Sequence, residues 1–305
     1  MSSSRDLRRP GADAGDMSHL VSVAQLIHLQ RAEEHGTGPA VRLLDVRWRL
    51  DRPEGRPEYL AAHLPGAVYV DLEHELARRG EPAEGRHPLP ETDDLQRAAR
   101  GWGLDDGDTV VAYDDNRSVP AARLWWLLRR FGVDVRVLDG GIRAWAGEGM
   151  PLERGDVLPE PGRITFAGDA AGVILLDQVE AFRDRGVLLD ARTPEQYSGA
   201  QTATDPVGGH IPGAVNLPAM ATVTGDGRLQ HPDALRRIFA TAGVDAGTEV
   251  AVYCGSGVAS MHTVLALEQS GIRALVYPGS WSQWSNTRGQ PVAVGILPDG
   301  RLTKV

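Results

Sequence analysis

The chain has 305 residues, of which 42% are hydrophobic and 24% are charged, as is usual for a soluble globular protein. At roughly 100–200 residues per domain, this length predicts two domains, each long enough to bury its own core. The formal net charge of −9 argues against nucleic acid or a membrane surface as a partner, and no apolar run approaches the ~20 residues that cross a bilayer.

The N-terminal segment, residues 1–17, mixes Ser, Arg, Asp, Gly and Pro and contains no apolar stretch. It is predicted to be a disordered tail and not a signal peptide. Cys254 is the single cysteine of the chain, so an intramolecular disulfide is excluded. These features favour the cytoplasm as the location of the protein.

Strands and helices are predicted to alternate along the rest of the chain. Short apolar runs have the length of strands at residues 42–46, 109–113, 135–138, 187–190, 249–253 and 274–277. Helical stretches lie between them at residues 95–101, 121–131, 234–242 and 260–270. This alternation predicts an α/β fold in which parallel sheets are flanked by helices.

The two halves of the chain share motifs in the same order. Leu-Leu-Asp-Val-Arg at 43–47 returns as Leu-Leu-Asp-Ala-Arg at 188–192. His-Leu-Pro-Gly-Ala-Val at 63–68 returns as His-Ile-Pro-Gly-Ala-Val at 210–215. The spacing of about 145 residues far exceeds that of solenoid repeats, so the pattern indicates a pair of duplicated domains.

The predicted domains are residues 18–150 and 173–305. The segment between them, residues 151–172, is rich in Pro, Gly and charge and lacks clear periodicity, so it is predicted to be the linker. Alignment of the two repeats places Asp114 of the first domain where the second has Cys254. A carboxylate cannot carry a sulfane sulfur, so the first domain is expected to be catalytically silent if the cysteine is a sulfur carrier.

Cys254 lies where an apolar strand ends and a helix is about to begin. The intervening loop has the residues Gly255, Ser256, Gly257, Val258, Ala259 and Ser260. Ligands of open α/β sheets bind at the carboxyl ends of the strands, and a turn with two glycines lets backbone N–H groups converge on an anion such as a thiolate or persulfide. A lone cysteine is more often a small buried hydrophobe, but this context favours a nucleophile.

Two comparisons of the Cys254 loop narrow its chemistry. Cysteine phosphatases use a similar turn but carry an arginine six residues after the cysteine to bind phosphate, and that position is Ser260 here. Phosphatase chemistry is therefore not expected. The equivalent first-domain loop, residues 115–118, has no glycine, so its N–H groups are not expected to converge, and Asp115 would oppose an anion.

Several motifs occur together in one order: Asp-x-Arg after a strand, Gly-His-Ile-Pro-Gly-Ala, and strand–Cys–loop–helix. In this combination the chain resembles the rhodanese family over roughly residues 18–295. The resemblance implies two rhodanese-like α/β domains and a persulfide on Cys254. The loop Cys-Gly-Ser-Gly-Val at 254–258 is similar to that of the 3-mercaptopyruvate sulfurtransferases, whereas the thiosulfate branch usually carries Arg or Lys there.

The resemblance also implies partners for the cysteine. In the mercaptopyruvate branch a loop serine is proposed to act with a histidine and an acid of the first domain. Ser256 matches the serine, His87 matches the histidine, and the acid is Glu73 or Asp71. His231-Pro232 loosely repeats His87-Pro88, so that motif alternatively only starts a helix.

The substrate ligands are less well matched. Arg192 is a candidate ligand, although a buried ion pair explains it equally well. Family members usually carry two further arginines that bind the donor carboxylate, and Gln196 and Val207 stand at the corresponding places here. Arg117 and Arg123 of the first domain are candidate substitutes.

The sequence thus predicts a sulfurtransferase. It would move sulfur from 3-mercaptopyruvate or a related small donor through Cys254 to a thiol, a thioredoxin-like reductant or cyanide, with no metal or organic cofactor. One alternative is a thiosulfate:cyanide sulfurtransferase. The other is a non-enzymatic rhodanese-fold module that binds a partner or relays persulfide sulfur, which the absent arginines favour.

Overall fold

The structure, a computed structural model, describes residues 19–167, 171–202 and 204–305. The tail predicted for residues 1–17 lies outside the described residues. Among the helices that are described, none combines the length and the apolar character needed to cross a membrane.

The first half of the chain folds around a parallel sheet with the strand order β1-β5-β4-β2-β3. Its strands are β1 (Leu20–Val21), β2 (Val41–Asp45), β3 (Val68–Tyr69), β4 (Thr109–Tyr113) and β5 (Asp134–Leu138). Its helices are α1 (Val23–Glu34), α2 (Arg56–Ala61), α3 (Leu72–Glu75), α4 (Thr92–Gly101), α5 (Val119–Arg129) and α6 (Gly141–Gly147), with a 3₁₀ turn at Pro82–Glu84. Every residue of β4 is buried, as expected for a strand covered on both faces.

The second half repeats this plan with a parallel sheet in the order β7-β6-β8-β9 and adds an antiparallel hairpin, β10 with β11. Its strands are β6 (Val187–Asp190), β7 (Val215–Asn216), β8 (Val250–Tyr253), β9 (Ala274–Val276), β10 (Pro291–Val294) and β11 (Arg301–Lys304). Its helices are α7 (Val179–Arg183), α8 (Pro194–Ser198), α9 (Pro232–Ala240), α10 (Ala259–Gln269) and α11 (Ser280–Trp284), with 3₁₀ turns at Leu176–Gln178 and Ala219–Thr222.

The predicted α/β fold with parallel sheets is confirmed. Each of the six predicted strands and four predicted helices occurs within a few residues of its expected place. The two-residue strands β1, β3 and β7 and the C-terminal hairpin were not predicted, because a two-residue strand has no periodicity and β11 is exposed along its whole length.

The two halves meet along α5 and α10, which pack against each other. Ten of the eleven residues of α5 are buried, because the helix is covered by its own sheet on one side and by the second half on the other. One hydrophobic core runs across this contact and includes Leu124 and Trp125 of α5 and Val264 and Leu265 of α10. The N-terminal end of α10, which follows the Cys254 loop, therefore faces the first half.

The segment predicted as the linker follows α6. Glu153 pairs with His63 in an isolated bridge, and the N–H of Ile164 donates to the carbonyl of Leu104 at 3.0 Å. Ile164 is also part of the core. We propose that residues 151–172 connect the domains, with the part up to Ile164 packed on the first.

Candidate active site

Cys254 belongs to the hydrophobic core, and its sulfur lies near polar groups at the end of β8. The N–H of Gly257 donates to Sγ at 3.1 Å, and the hydroxyl oxygens of Ser260 and Ser280 lie 3.7 and 4.0 Å from it. Cys254 is only 2% exposed. The sequence predicted that several N–H groups would converge at this point, and among the described residues the N–H of Gly257 is the one that reaches the sulfur.

The loop conformation depends on glycine at one position. Gly257 has a φ of +84°, and a Cβ there would lie 2.4 Å from the carbonyl oxygen of Pro278. No side chain fits without moving the backbone. The N–H of Gly257 is the group that reaches the sulfur, so the same residue shapes the turn and supplies its donor.

The other loop residues that we predicted as substrate ligands have different surroundings. The carbonyl of Gly255 accepts a hydrogen bond from the N–H of Ser282 at 2.8 Å. Val258 and Ala259 pack into or against the hydrophobic core, so their side chains support the loop. Of the predicted loop residues, Gly257 and Ser260 lie at the sulfur.

Ser256, His87 and Glu73 form a chain of hydrogen bonds across the domain interface. The Oγ of Ser256 lies 2.8 Å from Nδ1 of His87, and Nε2 of His87 lies 3.1 Å from Oε1 of Glu73. The indole N–H of Trp48 donates to the same Glu73 oxygen at 2.7 Å, and its ring meets His87 edge-on at 5.4 Å between centroids. Ser256 comes from the second domain and the other three from the first.

The electrostatics of this chain of residues fix the direction of its hydrogen bonds. Burial lowers the pKa of His87 below its usual 6.5, although Glu73 opposes the shift, and the hydrogen bond from His87 lowers the pKa of Glu73. At neutral pH the imidazole is therefore neutral and Glu73 is charged. Nε2–H donates to the carboxylate, which leaves Nδ1 as the acceptor for the hydroxyl of Ser256.

Of the two candidate acids, Glu73 is the one that contacts His87. The carboxylate of Asp71 accepts from the N–H groups of Glu73 and His74 at the start of α3, and it contacts Nδ1 of His74 at 3.0 Å. Asp71 is thus the N-cap of a helix, and no described contact joins it to His87.

The alternative that His87 only starts a helix is wrong. The helix after His87, α4, begins at Thr92, and the side chain of His87 is buried against Ser256. His231, its loose repeat counterpart, is the residue that caps a helix, since it stands at the N-cap of α9 and accepts from the N–H of Asp233 at 3.3 Å.

Arg192 and Gln196 have structural contacts. Arg192 forms a buried ion pair with Asp190 at 2.6 Å and donates to the carbonyl of Gly209 at 2.7 Å. Arg47 and Asp45 form the equivalent pair in the first domain. The side chain of Gln196 accepts from the N–H of Thr193 in a capping box. Within the described ranges, no recorded contact joins Arg192 or Gln196 to the Cys254 loop.

The two arginines suggested as substitutes have other contacts. Arg123 is fully buried, and it donates to the carbonyls of Leu76, His87 and Gly257 at 2.9, 2.9 and 3.0 Å. It joins the segment that carries His87 to the Cys254 loop. A guanidinium nitrogen of Arg117 lies 3.7 Å from the sulfur of Met220. Neither suggestion is supported.

The loop of the first domain differs from the prediction. The carboxylate of Asp114 accepts from the N–H groups of Asn116, Ser118 and Ala121 at 2.7, 3.0 and 3.0 Å. The expectation that the N–H groups would not converge without glycine is wrong, because Arg117 and Ser118 adopt positive φ values of 58° and 65°. Burial raises the pKa of Asp114 to about 6, so at neutral pH its carboxylate fills this anion site.

Two residues at the site were missed in the sequence. Trp48 follows the Asp-x-Arg motif of the first domain and has no counterpart in the second repeat that would have marked it. Ser280 has a φ of 53°, and its repeat counterpart Gly141 has a φ of 57°. A glycine at the aligned position was a signal that the backbone there is left-handed.

Comparison with known proteins identifies the family of the chain. The family model "Rhodanese-like domain" matches residues 28–148 and 175–287. SseB of Mycobacterium tuberculosis, named as a thiosulfate sulfurtransferase, is 42% identical over 280 residues, which cover 90% of this chain and 97% of that protein. A Pseudomonas aeruginosa protein named as a 3-mercaptopyruvate sulfurtransferase is 37% identical and covers 90% of this chain and 100% of its own.

A solved structure agrees as well. The 3-mercaptopyruvate sulfurtransferase SseA of Escherichia coli superposes with a TM-score of 0.73 at 31% identity, covering 87% of this chain and 99% of that one. These relatives are enzymes by name, which sets aside the alternative of a non-enzymatic module. The chain belongs to the rhodanese family and is a tandem-domain sulfurtransferase.

Proposed function

We propose that Cys254 takes sulfur from 3-mercaptopyruvate in preference to thiosulfate and passes it to a thiol or to cyanide. The observation that carries this proposal is the chain of hydrogen bonds from Ser256 through His87 to Glu73, which begins two residues after the nucleophile. Such a chain can accept a proton and return it.

The reaction with mercaptopyruvate needs a proton to move. The thiolate of Cys254 attacks the donor's thiol sulfur, so an S–S bond forms while the C–S bond breaks. The electron pair of the C–S bond leaves with carbon as the enolate of pyruvate. The proton of the donor's thiol must then pass to the enolate, which leaves a persulfide anion on Cys254 and gives pyruvate.

Thiosulfate makes no such demand. Attack on its sulfane sulfur breaks an S–S bond and expels sulfite, which departs with the electron pair and needs no proton. A proton relay beside Cys254 therefore lowers the barrier for mercaptopyruvate more than the barrier for thiosulfate. The side chains of the loop Gly255–Ser260 are neutral, so they also favour mercaptopyruvate, a monoanion, over thiosulfate, a dianion.

Ser256→Ala tests this proposal. We expect kcat/KM for mercaptopyruvate to fall by about 10²- to 10⁴-fold, the usual contribution of general acid–base catalysis. We expect kcat/KM for thiosulfate to change by only a few-fold. Steady-state kinetics with both donors measure the ratio. Ser285→Ala is the control, since the buried hydroxyl of Ser285 has no partner among the described residues. A wild-type preference for thiosulfate, or equal losses with both donors, would overturn the donor assignment.

The pH dependence of mercaptopyruvate use follows from His87. Protonation of His87 removes the acceptor for the hydroxyl of Ser256, so kcat/KM should fall as the pH drops through the pKa of His87. Because burial lowers that pKa, the acid limb should lie below pH 6.5 and activity should be complete at neutral pH. Profiles from about pH 5 to 8 check this. An acid limb that persists unchanged in Ser256→Ala would show that another group causes it.

The acceptor follows from the burial of the sulfur. Cys254 is 2% exposed, so a small thiol or cyanide is the acceptor that enters with least movement. A thioredoxin-like protein would require the interdomain cleft to open. We also propose the cytoplasm as the location, where a lone nucleophilic cysteine stays reduced.

A thiosulfate sulfurtransferase is the second candidate. Arg86 brings a guanidinium to the Cys254 loop, a fixed positive charge that the loop's own side chains lack. Its partner in this structure is the carboxylate of Asp205.

A further inference from the structure

Arg86 occupies the boundary between the two domains, next to the catalytic loop. It directly precedes His87, and its backbone N–H donates to Oγ of Ser282 at 3.1 Å. A side chain at Gly255 would place its first carbon 3.4 Å from Nη2 of Arg86. Arg86 is thus adjacent in sequence to His87, and its guanidinium lies beside Gly255, the residue that follows Cys254.

The charge of Arg86 is incompletely satisfied. Its Nη1 forms an ion pair with Asp205 of the second domain, whose side chain is only 5% exposed. Its Nε is buried and has no hydrogen-bond partner among the residues that the structure describes. A guanidinium presents a planar fork that suits an anion with two oxygens, and here one arm of the fork is unused.

A cavity of about 630 Å³ lies beside this ion pair. Both domains line it, through residues that include Gly85, Arg86, Asp205, Pro206, Ser282 and Asn286. Its size suits a small molecule. The buried sulfur of Cys254 does not line the cavity, so a donor that enters here meets the Arg86–Asp205 pair before it meets the sulfur.

We propose that Arg86 binds the anionic group of the sulfur donor, and that Asp205 occupies this place until the donor displaces it. The proposal deepens the proposed function and rests on it. Other arginines near the site have structural partners: Arg192 with Asp190, and Arg123 with backbone carbonyls. Among the described residues, Arg86 is the arginine that combines proximity to the loop with a buried, unpartnered N–H.

The two members of the ion pair should have opposite effects when they are replaced. Arg86→Ala should raise KM for mercaptopyruvate by about 10- to 100-fold, the range of a charge-assisted hydrogen bond, with a smaller change in kcat. Asp205→Asn should lower KM several-fold, because the competing carboxylate is gone. Arg86→Lys should recover part of the loss. If the pair only stabilised the fold, both replacements would impair the enzyme.

Arg129→Ala provides the matched control. Arg129 of α5 and Glu268 of α10 form another ion pair between the domains, at the ends of these helices away from the Cys254 loop. Removal of the Arg129 side chain should leave KM for 3-mercaptopyruvate and KM for thiosulfate unchanged. Unchanged KM in Arg86→Ala, or a rise in KM in Asp205→Asn as well, would overturn the proposal.

A binding measurement tests the role of Arg86 separately from the assignment of mercaptopyruvate as the donor. Calorimetry with pyruvate and with thiosulfate on Cys254→Ser, with and without Arg86→Ala, needs no turnover. We expect at least one of the two anions to bind and Arg86→Ala to weaken its binding by about 10-fold or more. Binding of thiosulfate alone, weakened by Arg86→Ala, would sink the mercaptopyruvate assignment and leave Arg86 in place. Binding that Arg86→Ala does not weaken, or no binding of either anion, would sink the role of Arg86.

Discussion

Cys254→Ser is expected to abolish sulfur transfer from both donors, with a loss on the order of 10⁴-fold or more, as for removal of other catalytic nucleophiles. A serine hydroxyl ionises far less readily than a thiol and cannot form a persulfide. The replacement should fold normally, because serine is slightly smaller and the N–H of Gly257, which lies 3.1 Å from Sγ, can donate to a hydroxyl oxygen.

Turnover with cyanide and with a small thiol as acceptor measures this effect, and thermal unfolding serves as the check on the fold. Loss of activity with an unchanged unfolding temperature is the expected result. If Cys254→Ser retained more than a trace of transfer from either donor, the sulfur would have to travel without this cysteine, which is the only one in the chain.

Arg123→Met is expected to cause a large loss of stability, about 3–5 kcal/mol, because it leaves several buried carbonyls without a donor. The side chain is fully buried in α5 and donates to the carbonyls of Leu76, His87, Pro88 and Gly257. Burial lowers the pKa of Arg123 to about 10, so it stays charged at neutral pH. Methionine fills similar space but removes the donor to the carbonyls of Leu76, His87 and Gly257, and each unpaired buried group costs about 1–3 kcal/mol. The carbonyl of Pro88 keeps the N–H of Arg78 as a donor at 3.3 Å.

Urea unfolding at neutral pH measures the loss, and Arg129→Met is the matched control on the same helix, since the side chain of Arg129 is 32% exposed. Arg123→Lys should also be destabilised, because an ammonium cannot present a fork to several carbonyls at once. A loss below about 1 kcal/mol, the size of one ordinary hydrogen bond, would contradict the role of Arg123 as the link between the His87 segment and the Cys254 loop.

The parts of the fold that are strongly apolar were predictable from sequence. Strands β4 and β8 are buried on both faces, so each is a continuous apolar run, and the duplicated motifs ordered them into two units. Cys254 was predictable for the same reason, since a nucleophile at the end of a buried strand is marked by the strand before it and the glycines after it.

The acid that contacts His87 was only partly predictable from sequence. Glu73 and Asp71 lie two residues apart, and the sequence motif fits both. The helix-capping preference of aspartate, which assigns Asp71 to the start of α3, was a usable signal for Glu73. No local sequence signal shows that Arg123 binds backbone carbonyls whereas Arg86 forms an ion pair at the cavity. The carbonyls that Arg123 binds and the carboxylate that Arg86 contacts come from distant parts of the chain.

The first-domain loop shows a further limit of sequence patterns. The absence of glycine around Asp114 predicted a loop whose N–H groups diverge, yet Arg117 and Ser118 take left-handed conformations and three N–H groups converge on the carboxylate. The hydrogen bonds to a buried charge offset the local strain, a balance that depends on tertiary burial. The first domain thus contains its own anion where the second has a thiol.

A single-turnover experiment tests the central claim most directly. Wild-type protein is mixed with excess 3-mercaptopyruvate in the absence of an acceptor, and released pyruvate is counted while intact mass and peptide mapping locate any added sulfur. We expect a rapid burst of about one pyruvate per chain, matched by one sulfur atom on Cys254, with neither in Cys254→Ser. Pyruvate released without added sulfur on Cys254, or a burst that survives in Cys254→Ser, would contradict transfer through a Cys254 persulfide.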